Sequence, residues 1–98
     1  MNSFEALETL RRSEQALRDR GVMHAALFGS VARGDNRADS NIDIMIEIDP
    51  DVRMTVFEYV DLKDHIAALF DEPVDVVSRE ALKPYVRPAA TADAISAF

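Results

Sequence analysis

The segment that most constrains this chain is Asn41-Ile42-Asp43-Ile44-Met45-Ile46-Glu47-Ile48. Isoleucine at every second position is the period-2 pattern of a strand with one face in a core. A slip of one residue would turn all four isoleucines into water, so the register is strongly specified. Asn41 and Asp43 then share the other face, with Cα atoms roughly 6.5 Å apart. That is close enough for both side chains to serve one metal cluster.

Upstream lies Leu27-Phe28-Gly29-Ser30-Val31-Ala32-Arg33-Gly34. An apolar run ends at Gly29-Ser30, and Gly34 closes a short helical turn. Gly29 has no Cβ, so a bulky anion could approach its backbone. The Ser30 hydroxyl and the amides of the next turn would face that anion from a helix N-terminus. Arg33, one turn on, could add a fork of donors. A Gly-Ser pair alone is usually only a turn. It gains weight here from a carboxylate-bearing strand that follows at close spacing.

The rest of the chain supplies alternating helices and strands. Residues 3 to 20 read as one helix, with Asn2 as cap, Phe4, Leu7, Leu10 and Leu17 near 3.6 spacing, and Gly21 as the stop. Val22 to Phe28 predicts a strand buried on both faces, with His24 a polar residue near its entrance rather than a ligand. Residues 30 to 34 make a short helix and 35 to 40 a polar loop. Asp49-Pro50-Asp51 signals a turn. Thr55 and Glu58 fit a capping box before a helix over about 56 to 70, whose apolar residues cover half its circumference and predict broad packing on the sheet. His65 falls on its exposed side. Pro73 ends it. Val74-Asp75-Val76-Val77 is a third strand on which Asp75 faces away from Val74 and Val76, making it a third candidate carboxylate. Glu47 and Asp49 read as surface charges, and Met45 as packing under a helix. Ser78 could cap a short helix before Pro84, and the alanine-rich tail from 89 to 98 predicts a last helix held by Ile95 and Phe98. The order is α-β-α-β-α-β-α, an α/β or α+β layer fold with a small mixed sheet flanked by helices.

At 98 residues, one domain is expected, with no room for a separate substrate domain. A formal charge of -7 argues against direct nucleic-acid binding, which rests on Lys and Arg neutralising phosphates. It favours a basic protein partner. The absence of cysteine removes disulfides, thiolate metal sites and cysteine nucleophiles together. No apolar run reaches the roughly 20 residues of a membrane span, and Met1 to Glu5 has no leader character, so a cytoplasmic protein is expected.

Gly29-Ser30, ten intervening residues and Asn41-Ile42-Asp43 resemble the Gly-Ser-x10-Asp-x-Asp signature of the DNA polymerase β-like nucleotidyltransferase superfamily. The likeness is to its minimal single-domain branch, the MntA-type antitoxins, and it runs over nearly the whole chain. It includes the leading helix, the Phe-Glu-Tyr helix and the Pro-Val-Asp-Val-Val strand. One residue departs: the first metal-binding aspartate of the signature is Asn41. The resemblance implies that positions 41 and 43 hold Mg²⁺ between them. It further implies that Asp75 binds the catalytic ion and helps activate the incoming hydroxyl, and that Gly29-Ser30 hold the terminal phosphates of ATP, with Arg33 as an auxiliary contact. It also implies AMP transfer from ATP to a tyrosine of a HEPN-type RNase toxin, impaired by Asn41. The alternative is a catalytically inactive subunit that binds nucleotide or partner, in either case within a hetero-oligomer.

Overall fold

The computed structural model describes residues 1–35, 37, 41–81 and 92–98. Helix α1 (Ser3–Arg12) opens with the anticipated cap: the Asn2 side chain accepts from the Glu5 N–H at 2.8 Å, and Glu5 Oε1 accepts from the Asn2 N–H at 3.4 Å. The single helix predicted over 3 to 20 is broken at Ser13. There φ is -98° and ψ 6°, and the Ser13 N–H reaches back only three residues, to Leu10 O at 3.1 Å. A tightened last turn of this kind ends one helix, and serine competes poorly for helix interiors. The chain restarts as α2 (Glu14–Asp19).

Strand β1 (Val22–Phe28) pairs antiparallel with β2 (Ile42–Ile48), and β2 pairs parallel with β3 (Val74–Ser78) across the intervening helix α4 (Val56–Ala67). Between β1 and β2 lies the short helix α3 (Gly29–Arg33). The two residues Ile95–Ser96 form β4, antiparallel to β1, and the sheet order is β3-β2-β1-β4. The end of the chain is therefore a strand where a helix is predicted, while residues 89 to 91 of that prediction lie outside the described residues. The Arg11 guanidinium fastens this strand by donating to Ala97 O and Ser96 O at 3.0 and 3.2 Å. Ala97 is buried, Ile95 is exposed, and Phe98 packs partly against the core. The predicted cap Ser78 ends β3 instead and donates to Glu80 at 2.8 Å over a 3₁₀ turn (Arg79–Ala81). Pro84 lies outside the described residues.

One face of the sheet carries the core. Ile42, Ile44 and Ile46 of β2 and Val22, Ala25 and Leu27 of β1 meet Leu10, Leu17, Val31, Leu62 and Ile66 from the helices, all buried. The alternation read in β2 is borne out. The prediction that β1 is buried on both faces is not. A bulge between Val22 and His24 breaks the ladder, and Met23 and His24 are exposed, because the second face of the sheet has no comparable helical cover among the described residues. Met45 lies on that second face and is nevertheless 5 % exposed. It forms part of a cavity of about 360 Å³ with His24, Ala26, Glu47, Arg79 and Ser96.

Helix α4 is capped by Thr55, whose Oγ1 accepts from the Glu58 N–H at 3.1 Å. The Glu58 carboxylate accepts from the Thr55 hydroxyl at 3.2 Å and not from its N–H, so half of the predicted capping box is replaced by a side-chain pair. The helix stops at Ala67, and Leu69 and Phe70 follow in tightened turns. Its packing is narrower than predicted. Leu62 and Ile66 are buried, whereas Val56, Phe57 and Val60 are exposed. Stability should follow this division. Ile44→Ala, in the middle of the central strand, is expected to cost about 3 kcal/mol, and Val56→Ala less than about 0.5 kcal/mol. Urea titrations with unchanged slopes would check both.

Candidate active site

Because β2 and β3 are parallel and in register, Asp43 pairs with Asp75. Both point away from the isoleucine face, roughly 4.8 Å apart across the ladder. On the other side of β2, Asp43 pairs with Phe28, the last residue of β1. The chain then turns at Gly29, where φ is +72°. A Cβ at Gly29 would collide with Asp43 Oδ2. Glycine is thus required twice, by a left-handed backbone and by the closeness of the carboxylate. A side chain at position 29 would strain the backbone and displace Asp43 together, so fold and site cannot be separated there.

The site is electrostatically coupled. Asp43 has its pKa raised, first by desolvation and then by the Asp75 charge, with Arg33 opposing. Arg33 itself is raised, chiefly by its hydrogen bond to Asp35 and then by that to Asp93. Its Nε donates to Asp35 at 3.2 Å and its Nη1 to Asp93 at 3.1 Å. An incoming phosphate would compete with these two carboxylates. Ser30 follows Gly29 in α3, where no side chain caps the first turn. Its carbonyl accepts from Gly34 and Asp35 at 3.0 and 3.1 Å and so anchors the far end of the loop.

Asn41 completes the group. Its Nδ2 donates to Asp75 Oδ2 at 2.9 Å. The amide therefore satisfies one oxygen of a carboxylate that otherwise faces Asp43. Gly29, Ser30, Arg33, Asn41, Asp43 and Asp75 fall around one end of the open sheet face. The described residues contain no group of three or more His, Cys, Asp or Glu side chains that could hold a metal ion. The donor set is two carboxylates and an amide.

Other candidates separate from this group. Glu47 pairs with Arg79 at 3.2 Å. Asp49 accepts from the Asp51 N–H at 2.9 Å and shapes the turn. Sequence reasoning missed Asp93 as a partner of Arg33, since nothing in the local pattern signals a contact made 60 positions away. No helix in the described residues is long and apolar enough to cross a membrane.

The glycine turn and the carboxylate pair lie together at one end of an open mixed sheet. The chain belongs to the nucleotidyltransferase domain family, whose model matches residues 10–96. It is 34% identical over 93 residues to a Methanocaldococcus jannaschii protein provisionally named a protein adenylyltransferase, covering 93% of each chain. It is 30% identical over 84 residues to the protein adenylyltransferase MntA of Thermococcus cleftensis, covering 85% of this chain and 81% of that one. A solved structure provisionally described as a minimal nucleotidyltransferase superposes with a TM-score of 0.70 at 32% identity, covering 97% and 95% of the two chains. A chain from the complex of a tri-AMPylated Shewanella oneidensis HEPN toxin with MNT antitoxin shares the fold, with a TM-score of 0.64 at 17% identity over 94% of this chain and 71% of that one.

The raised pKa of Asp43 has a measurable consequence. A carboxyl whose folded pKa lies above its unfolded value disfavours the fold once ionised, so the penalty is absent at low pH and grows as pH rises through the carboxylate range. Asp43→Asn should therefore raise the melting temperature at pH 7. The gain should shrink toward zero when melts are repeated below the ordinary carboxylate pKa.

Proposed function

We propose that this protein is an antitoxin of the protein adenylyltransferase type, built to transfer AMP from ATP to a tyrosine of a HEPN-type RNase toxin and slowed in that step by Asn41. The observation that carries the reading is the alignment of Asp43 with Asp75 beside the Gly29 turn, on an open sheet face. The relatives named as adenylyltransferases, and the related fold seen beside an AMPylated HEPN toxin, support the choice of reaction and partner.

In this transfer the tyrosine oxygen attacks the α-phosphorus of ATP, the bond to pyrophosphate breaks, and the phenolic proton is lost. The amides after Gly29 and the Ser30 hydroxyl would hold the departing phosphates. Arg33 could join them on releasing Asp35 or Asp93. Asp75 has one oxygen tied to the Asn41 amide, so its other oxygen would be the one to hold the ion beside the incoming phenol, which would release its proton to solvent. Asp43 and Asp75 would be the protein ligands of Mg²⁺, which favours carboxylate oxygens together with substrate phosphates. When bound, the ion would offset negative charge building on the phosphoryl oxygens. The residues present fit one such ion shared with the nucleotide. They do not fit two bridged ions, because a neutral amide that donates to Asp75 cannot bridge cations as a carboxylate does.

A second reading, an inactive subunit that binds nucleotide or partner, is favoured by the same Asn41–Asp75 hydrogen bond. The two separate by experiment. Calorimetry with ATP and Mg²⁺ should show weak binding by the native chain and binding at least about tenfold tighter by Asn41→Asp. With labelled ATP and a cognate HEPN-type toxin, Asn41→Asp should transfer AMP faster than the native chain. Equal transfer by both would remove position 41 from the metal site, and transfer by neither would leave the binding subunit.

A further inference from the structure

Helix α4 carries a surface that the nucleotide site does not use. Val56 is 76% exposed, Phe57 88% and Val60 49%, and Val52 just ahead of the helix is exposed as well. Val56, Phe57 and Val60 lie within two turns of a helix whose Leu62 and Ile66 are buried and line one depression, so these three form one patch rather than scattered exposures, whereas Val52 packs toward Gly21. A contiguous apolar patch rimmed by polar groups marks an interaction site.

The rim is acidic. Val56, Phe57 and Val60 line a shallow depression with Glu58 and Asp61. The same two carboxylates border a second depression of about 220 Å³ with Asp19, Arg20, Met54 and Leu62. Asp64 follows one turn after Val60, and Arg53 lies before the cap. Asp19, Glu58, Asp61 and Asp64 stand against Arg20, Arg53 and Lys63, the last drawn over the Tyr59 ring, so the rim stays net acidic in a chain of net charge -7. We infer that the N-terminal half of α4 is the docking surface for a basic amphipathic segment of another protein. That segment would seat an apolar side chain against Phe57 and place Lys or Arg over Asp19, Glu58 and Asp61. A second copy of this chain fits poorly, because a two-fold contact would set the acidic rim against itself. The patch belongs to the helical layer, whereas Asp43 and Asp75 face the opposite side of the sheet. A segment docked here would leave the nucleotide face open.

The test uses the whole protein, labelled with ¹⁵N, and a synthetic helical peptide with leucine on one face and lysine on the other. Titration should shift the amides of Val56, Phe57, Val60 and Asp61 while leaving Gly29 and Ser30 in place, and the effect should fade with added salt. Phe57→Ser should weaken binding about tenfold, and Val60→Ser should weaken it as well. Both positions are exposed, so the fold should persist, and an unchanged amide spectrum elsewhere would verify it. ATP titration of Phe57→Ser should match the native chain, which separates this surface from the nucleotide site. Three results would overturn the inference: shifts spread over the acidic surface or centred elsewhere, equal binding of the same peptide with glutamate replacing lysine, or a concentration-dependent dimer that Phe57→Ser abolishes. The last would make a second copy the occupant.

Discussion

The two-faced character of β2 is the constraint on which the structure depends. Its isoleucines fill the centre of the core, and burying them fixes which residues face outward. The ladder to β1 and β3 then holds Asp43 on the open face. The parallel register with β3 sets Asp75 beside it, and the antiparallel register with β1 sets the Gly29 turn against its carboxylate. Hydrophobic burial on one side of the sheet thus places charge on the other. Desolvation and the neighbouring Asp75 charge both push the Asp43 carboxyl above the usual carboxylate range, with Arg33 opposing.

The Asn41–Asp75 hydrogen bond reduces the charge problem in a way that a cation otherwise would. With an aspartate at position 41, three carboxylates would crowd one strand end. With asparagine, an N–H donor meets Asp75 at 2.9 Å. In the proposed function, asparagine at this position would supply no charged metal ligand and would leave less repulsion for a second metal to relieve. Arg33 adds to this balance, since it is charged and close enough to lower the pKa of Asp43 while its donors are shared with Asp35 and Asp93.

Much of this was readable from the chain because it rests on local periodicity. The alternation at 42 to 48, the Asn2 cap, the Gly29 turn and the outward Asp75 all follow from spacings of a few residues. What escaped depends on partners distant in sequence or on which faces are covered. The strand at Ile95–Ser96 exists because β1 offers it an edge and Arg11 holds its carbonyls, which alanine content cannot signal. Nor can periodicity distinguish an apolar helix face packed on the core from one left in water, so Val56 and Val60 read as core. The break at Ser13 is a local serine preference outweighed in the sequence by the longer leucine pattern.

We propose that Asn41 limits the site to one divalent ion bound together with nucleotide. Counting Mn²⁺ ions bound per chain by electron paramagnetic resonance, in the presence of a non-hydrolysable ATP analogue, tests it most directly. One bound ion is expected in the native protein and two in Asn41→Asp. Two ions in the native protein would contradict it.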